Sequence, residues 1–125
     1  ATGAVTTTDA TPTTLAAVPL TDGRAYHVVV RVVGRKPDAD PAQRQRAFYW
    51  RAVLAYREGA SAVIQVDGGN PIIKDLATIE SSGAGAWDCT LDTSGNDVRV
   101  RVTGAASTTV HWVGTIEYQS VATSA

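Results

Sequence analysis

Few side chains in this chain of 125 residues have the types and spacing that catalysis needs. His27 and His111 each lie in a segment that predicts a β-strand, and the sequence has no Gly-x-Ser-x-Gly motif or His-x-His pair. Because a catalytic histidine needs a nucleophile or a carboxylate beside it, both are expected to face solvent. Cys89 has only Asp88 as a charged neighbour, which disfavours a thiolate, so we expect a small buried thiol. No catalytic residue is predicted.

The carboxylates and amides of the predicted loops are the candidate metal ligands, namely Asp38, Asp40, Asp67 and Asn70. Calcium takes about six to eight oxygen ligands, and the spacing of an EF-hand loop is absent. Turn formation by Asp and Asn side chains explains these residues more simply, with calcium binding as the alternative. The glycines are scattered and form no phosphate-binding motif. The sequence thus predicts neither a metal site nor a cofactor site.

Tyr49, Arg51 and Arg57 form the candidate surface-binding site. They alternate along a predicted strand, on the face that carries its charges, so Tyr49 is expected to be exposed beside the two arginines. Such a surface suits an acidic polysaccharide or a partner subunit. The strand arginines as a whole form either one cationic sheet face or pairs with acidic residues of neighbouring strands. They are Arg31, Arg35, Arg51, Arg57, Arg99 and Arg101.

The tryptophans have two interpretations. Exposed indoles stack on sugar rings, whereas indoles on the apolar face of a strand supply the bulk of a core. Trp112 shares the apolar face of its predicted strand with Ile116 and Tyr118, and Trp50 lies on the uncharged face of its own strand. We therefore expect Trp50, Trp87 and Trp112 to be core residues rather than a binding platform.

Alternation of apolar and polar residues predicts strands along most of the chain. Residues 86–92 and 98–104 alternate on either side of a polar turn, and residues 108–118 alternate again. The pattern is strongest in residues 25–35. One face there is uncharged and is expected to be buried, and it consists of Tyr26, Val28, Val30 and Val32.

Residues 43–57 are ambiguous because their first part contains good helix formers. The alternation after Ala47 and the density of aromatic residues favour a strand. About eight strands result, and turn signals at such spacing are typical of sandwiches and barrels. We predict an all-β fold, an antiparallel β-sandwich of jelly-roll-like type.

Charge and composition exclude two classes of partner. The net charge of −1 lacks the basic excess of a nucleic-acid-binding protein. No apolar run approaches the roughly 18 residues that span a bilayer, so no membrane insertion is predicted, and no signal peptide is visible. We predict an extended N-terminal arm over residues 1–12, ordered against a neighbour, and a single domain over residues 13–125.

Five segments together resemble a known family, namely residues 6–15, 25–35, 86–92, 96–106 and 108–112. In order and character they are similar to a small β domain of tailed-bacteriophage and prophage virion structural proteins, in head or tail fibres and decoration modules. The resemblance implies a virion component, as a surface appendage or on the capsid exterior, that is often a homotrimer. It implies contacts with other virion proteins or the host surface, and it supplies no catalytic residues.

The leading hypothesis is a non-enzymatic phage structural protein, a fibre or capsid decoration module, that serves assembly and attachment to a bacterial surface polysaccharide. A symmetric oligomer would add weak individual contacts by multivalency. The alternative is a carbohydrate-binding module of a larger polysaccharide-acting protein, which predicts a monomer with an exposed aromatic row. A small enzyme would need a pocket with convergent polar groups, and the sequence offers no candidate set.

Overall fold

A computed structural model describes residues 2–37, 44–67 and 70–122, and within these ranges every regular element is a strand. The strands, numbered in chain order, are β1 (Thr2–Thr7), β2 (Thr13–Pro19), β3 (Arg24–Arg35), β4 (Arg46–Arg57), β5 (Ala62–Ile64), β6 (Val66–Asp67), β7 (Asn70–Pro71), β8 (Ile73–Glu80), β9 (Asp88–Ser94), β10 (Asp97–Thr103) and β11 (Val110–Ala122). Residues 43–57, ambiguous in the sequence, thus provide the strand β4.

Two antiparallel sheets hold most of these strands. The large sheet has six strands in the order β1-β11-β3-β4-β5, with β8 also paired to β4, and the small sheet has the order β2-β10-β9. Strand β4 is long enough for two partners on one edge, β8 along its first part and β5 at its end. Strands β6 and β7 form a separate hairpin. The prediction of an all-β antiparallel fold is confirmed, and the jelly-roll description stays a prediction.

Alternating burial along β3 follows the sequence pattern. The four residues predicted to be buried are each at most 4% exposed, and their neighbours point to the opposite side of the sheet. β-branched valines suit this position because their stiff side chains pack well on a pleated surface. We call the side of the large sheet that carries Val28 and Val30 the inner face, and the side that carries Arg31 and Val33 the outer face.

The core lies between the inner face and the small sheet. The small sheet contributes Leu15, Leu91 and the valines of β10, and the large sheet contributes Val30, Trp112 and their neighbours, in one continuous cluster. The small sheet covers the inner face alone. On the outer face Val33, Val113 and Ile79 are 51%, 59% and 65% exposed.

The predicted N-terminal arm contains a strand of the chain's own large sheet. Strand β1 pairs with β11, with Val5 opposite Trp112. A glycine permits the close approach of β1 to β2, because a Cβ atom at Gly3 would lie 2.5 Å from the carbonyl oxygen of Leu15. The alternation in β1 is masked in the sequence by small and hydroxyl-bearing residues, which explains why the strand was not predicted.

Candidate functional site

Tyr49 and Arg51 lie on the inner face, so the prediction that Tyr49 is exposed is wrong. Tyr49 is 1% exposed and Arg51 is 7% exposed. The small sheet covers this side of β4, because the side chains of Val53 and Ala55 on the same face belong to the core. A buried arginine is tolerated only where its charge is paired and hydrogen-bonded. These two side chains are therefore not available as a surface platform.

Arg51 is held by groups from two other strands. Its Nη1 donates to Asp75 Oδ1 at 2.7 Å and to the carbonyl oxygen of Ala77 at 3.0 Å. Nη2 lies 3.9 Å from Asp88 Oδ1 at the start of β9. The guanidinium carbon also lies 5.1 Å from the centre of the Tyr49 ring, in cation–π contact. Arg51 therefore connects β4 to β8 in its own sheet and to β9 in the small sheet.

A second hydrogen bond joins β4 to β8 beside this arginine. The Tyr49 hydroxyl donates to Glu80 Oε2 at 2.7 Å. Burial, with the Glu80 carboxylate next, raises the pKa of Tyr49 above its usual range, so the phenol stays protonated. The neutral phenol of Tyr49, bonded to Glu80, and the guanidinium of Arg51, paired with Asp75, together stabilise the attachment of the edge strand β8 to β4. The arrangement provides no free acid or base for chemistry.

Arg57, the third residue of the predicted binding site, lies near the end of β4 and is half-buried. Its Nη1 donates to the carbonyl oxygen of Leu20 and its Nε to that of Gly59, both at 3.0 Å. These bonds fix the turn after β4 against the end of β2. The structure thus places the three predicted residues along one strand, with their polar atoms committed to bonds inside the chain.

Two of the remaining strand arginines pair with acidic residues of neighbouring strands and do not form one common cationic face. Arg99 makes two hydrogen bonds to Asp92, at 2.8 and 2.7 Å, on the small sheet. On the outer face, Arg31 lies 3.8 Å from Glu117. Of the two patterns left open by the sequence, pairing across neighbouring strands accounts for Arg31, Arg51 and Arg99.

The tryptophans divide between the core and the outer face of the large sheet. Trp87 and Trp112 are buried in the core, as predicted, with ring centres 5.7 Å apart in an edge-to-face arrangement. Trp50 is not a core residue, which corrects the prediction. It is half-buried on the outer face, where the guanidinium of Arg31 lies 5.0 Å from its ring centre. An aromatic side chain next to an arginine on an exposed face is a common feature of binding surfaces.

Another aromatic pair lies on the inner face, with one ring in the core and the other exposed. The rings of Tyr26 and Tyr118 have centres 5.7 Å apart. Tyr26 is buried, and its hydroxyl accepts a hydrogen bond from the Thr21 amide at 2.9 Å. Tyr118 is 55% exposed. Tyr118 therefore presents an aromatic ring to solvent, supported from beneath by Tyr26.

The histidines and the described acidic residues are not grouped as a metal site. His27 and His111 are exposed, as predicted, and His111 Nδ1 lies 2.9 Å from the Thr6 hydroxyl. Within the described ranges no three histidine, cysteine, aspartate or glutamate side chains are grouped as a metal site. Asp38 and Asp40, named as calcium candidates, lie outside those ranges.

An open groove on the outer face beside β4 bears on the enzyme hypothesis. It has a volume of about 290 Å³ and is lined by His27, Ala52, Val53, Leu54, Gln65, Ile72 and Lys74. The lining contains an imidazole and an ammonium group but no carboxylate. Among the described residues no helix has the length and apolar character to span a membrane.

Cys89 is buried in the core, as predicted, and its environment disfavours ionisation. Burial raises the pKa of the Cys89 thiol from 9.0 to about 12. We expect no alkylation of the folded protein by iodoacetamide at about pH 8, and full alkylation once urea unfolds the chain. The pKa of Cys89 is higher in the folded chain than in the unfolded chain. The free energy of unfolding that this difference contributes is therefore fully present below pH 9.0 and is lost as the pH rises toward about 12.

Urea titrations across this pH window, followed by tryptophan fluorescence, test the prediction about Cys89. A Cys89→Ala variant serves as the control, since it lacks the thiol and should show a shallower decline in the free energy of unfolding. Equal slopes for the two proteins would contradict it.

The fold defined above, two antiparallel sheets around one core, has a counterpart in part of a solved phage tailspike structure. No protein-family model matches this sequence, and no curated protein matches it either. Among solved structures, the chain is similar to the tailspike protein of Acinetobacter baumannii phage AM24, with a TM-score of 0.54 at 11% identity, over 98% of this chain and 26% of that one. It is also similar to the tailspike protein of Acinetobacter phage vB_ApiP_P1, with a TM-score of 0.49 at 13% identity, over 96% and 22%.

The coverage of these matches is unequal. Nearly all of this chain aligns, but it spans only about a quarter of the length of each tailspike chain, 26% and 22%. At such low identity the likeness concerns the fold.

Proposed function

We propose that this chain is a β-sandwich domain of a phage tail protein, with a non-enzymatic role in assembly and in attachment to a bacterial surface polysaccharide. It would be part of the virion, and it would work as a homotrimer among other virion proteins. The observation that carries the proposal is the fold shared with a segment of the AM24 tailspike over 98% of this chain. The sequence resemblance to virion structural domains supports the same assignment independently.

The distribution of reactive side chains supports a role without catalysis. Among the polar groups of the predicted site, Tyr49 is hydrogen-bonded to Glu80 and Arg51 is paired with Asp75 inside the chain. The cysteine is buried and protonated. A structural module needs a rigid scaffold and an exposed surface, and the large sheet provides both.

The oligomeric state is the first property to measure. Light scattering at two protein concentrations should give a mass three times the 13.1 kDa of one chain. A trimer has symmetric copies of each surface, so weak contacts add by multivalency. A monomer at both concentrations would count against the trimeric part of the proposal and favour an isolated binding module.

The non-enzymatic role has its own test, which does not depend on the oligomeric state. The purified chain is incubated with bacterial capsular polysaccharides immobilised for binding, and in parallel with the same polysaccharides in solution. Retention on the polysaccharide without release of new reducing ends is expected. Release of reducing ends would overturn the non-enzymatic assignment, and failure to bind any tested polysaccharide would remove the attachment role.

A carbohydrate-binding module of a larger polysaccharide-acting protein is the second candidate, and the exposed ring of Tyr118 favours it. If this ring stacks on a sugar, Tyr118→Ala should weaken polysaccharide binding by about tenfold, or about 1.4 kcal/mol. Tyr118→Phe keeps the ring and should bind like the unmodified chain. Glycan-array titrations compare the three proteins, and equal binding by Tyr118→Ala would rule out this site.

A further inference from the structure

We infer that the outer face of the large sheet is the surface through which copies of this chain meet, with three copies packed around a common axis. This inference rests on the proposed homotrimer and adds to it the surface that forms the contact. Its main feature is a set of apolar residues that we call the apolar row, which consists of Ala4, Val113, Val33, Phe48 and Ile79.

The residues of the apolar row are direct neighbours across five strands. Ala4 of β1 is opposite Val113 of β11, Val113 is opposite Val33 of β3, Val33 is opposite Phe48 of β4, and Phe48 is opposite Ile79 of β8. The aliphatic residues Val33, Val113 and Ile79 are 51%, 59% and 65% exposed. A continuous apolar band of this kind on a folded surface is typical of an interaction site.

One flank of the apolar row has the composition of an interface core, and the other carries His111, Arg35 and Arg46. One row further along the strands, Trp50 lies half-buried under the guanidinium of Arg31. Aromatic residues and arginine are enriched at the centres of interfaces and supply much of their binding energy. A groove of about 320 Å³ beside Val33, Phe48 and Ile79 offers space for a side chain from a neighbouring copy.

The size of the outer face matches what an assembly of copies needs. With strands spaced about 4.8 Å apart and a rise of about 3.4 Å per residue, the five strands of the apolar row present about 800 Å². A specific interface buries about 800 Å² on each partner, and in a trimer the outer face of one copy is divided between its two neighbours. The contacts of a trimer would therefore use the whole outer face of each copy.

The width of the outer face also suits three copies. The outermost of five strands are about 19 Å apart, and three flat sheets of that width closed into a triangle lie about 5.5 Å from the axis. That distance is close to half of the roughly 10 Å at which two sheets pack face to face. Val33, on the central strand β3, would then lie nearest the axis, with Ile79 and Ala4 of adjacent copies near the corners.

Extension of the sheet at its β8 edge is a less suitable mode of association. The register between β4 and β8 shifts between Trp50 and Arg51, which leaves Leu76 as an extra residue in β8. Bulges and charged residues such as Lys74 protect an edge strand against pairing with another chain. The edge of β8 is therefore protected, whereas the outer face is not.

The experiment compares two variants with the same substitution at valines of similar exposure. Val33 is 51% exposed within the apolar row, and Val66 is 44% exposed in the β6–β7 hairpin, outside the row. Val33→Lys places three ammonium groups near the axis, so we expect at least a hundredfold weaker association in sedimentation equilibrium. Val66→Lys should associate like the unmodified chain. Far-ultraviolet circular dichroism establishes that both variants are folded.

Cross-linking provides a second measurement, which does not depend on disrupting the contact between copies. The native Cys89 is buried, so an introduced surface thiol is the reactive one. Val33→Cys treated with a short bis-maleimide should give covalently linked copies, and Val66→Cys should remain uncoupled.

The outcomes distinguish a failure of the proposed contact surface from a failure of the proposed function. A trimer that persists in Val33→Lys, without cross-links through Val33→Cys, would overturn this inference and leave the trimeric phage-tail proposal standing. A monomeric unmodified chain would overturn the inference too, while polysaccharide retention would still support the attachment role.

Discussion

Replacement of Asp75 by alanine is expected to lower the free energy of unfolding by about 3 kcal/mol, because it leaves the buried Arg51 without its closest counter-charge. The Arg51 side chain is 9% exposed and that of Asp75 is 55% exposed. The charge that remains after the substitution is thus the one that water does not reach. Arg51 would keep only the Ala77 carbonyl and the more distant Asp88, at 3.9 Å. Chemical denaturation with urea measures the loss.

Removal of Arg51, the other partner of this ion pair, is expected to lower the free energy of unfolding by less. In Arg51→Met, an apolar side chain of similar length fills the space in the core, and Asp75 remains hydrated and bonded to the Thr78 hydroxyl at 2.8 Å. A loss of about 1 kcal/mol is expected, since apolar replacements of buried ions are often tolerated. If Arg51→Met were more destabilising than Asp75→Ala, the role given to Arg51 burial would be wrong.

The surface pair Arg99–Asp92 is the matched control for these substitutions. Its hydrogen bonds are as short, at 2.8 and 2.7 Å, but its side chains are 28% and 44% exposed. Asp92→Ala should therefore lower the free energy of unfolding much less than Asp75→Ala does, because exposed ion pairs contribute little to stability. Arg99 makes two hydrogen bonds to Asp92 and Arg51 makes one to Asp75, so a smaller loss in Asp92→Ala would be due to exposure and not to fewer bonds.

Arg51 also explains which part of the site could not be predicted from the sequence. Alternation along β4 separates two sets of residues correctly, but it does not say which set faces the core. Charge favoured the side without Arg51 and Arg57. The deciding fact is that Asp75 and Asp88 neutralise Arg51, and these lie 24 and 37 positions away in sequence. No local pattern contains that information.

The strand β3 shows the opposite case. Its valines carry no charge on one side, so pattern and burial agree, and the buried set is confirmed residue by residue. The same reasoning correctly placed Trp87 and Trp112. Trp50 was misplaced together with the whole face of β4, because the sequence does not show that a small sheet covers only one side of a larger one. The exposed apolar row is a consequence of that unequal coverage.

Substitution of Gly34 by alanine is the second change expected to have a large effect, with a loss of about 3 kcal/mol from overpacking of the core. Gly34 lies directly opposite Trp112 in the pairing of β3 with β11. A Cβ atom at this position would lie 2.5 Å from Cζ3 and 2.6 Å from Cε3 of the indole. Trp112 is 1% exposed, and its Nε1 donates to the Thr7 hydroxyl at 3.0 Å. The ring cannot move away without breaking this bond or displacing Trp87.

Two further variants assign the cost of Gly34→Ala to the contact with Trp112. Gly85→Ala is the matched control, because a Cβ atom there has no neighbour within 4 Å, and a change near zero is expected. Trp112→Phe removes the part of the indole that the new methyl group would strike. In a double-mutant cycle, Gly34→Ala should therefore cost markedly less in the Trp112→Phe background than in the unmodified chain. An unchanged cost would mean that backbone conformation at residue 34, and not the packing of the indole, requires glycine.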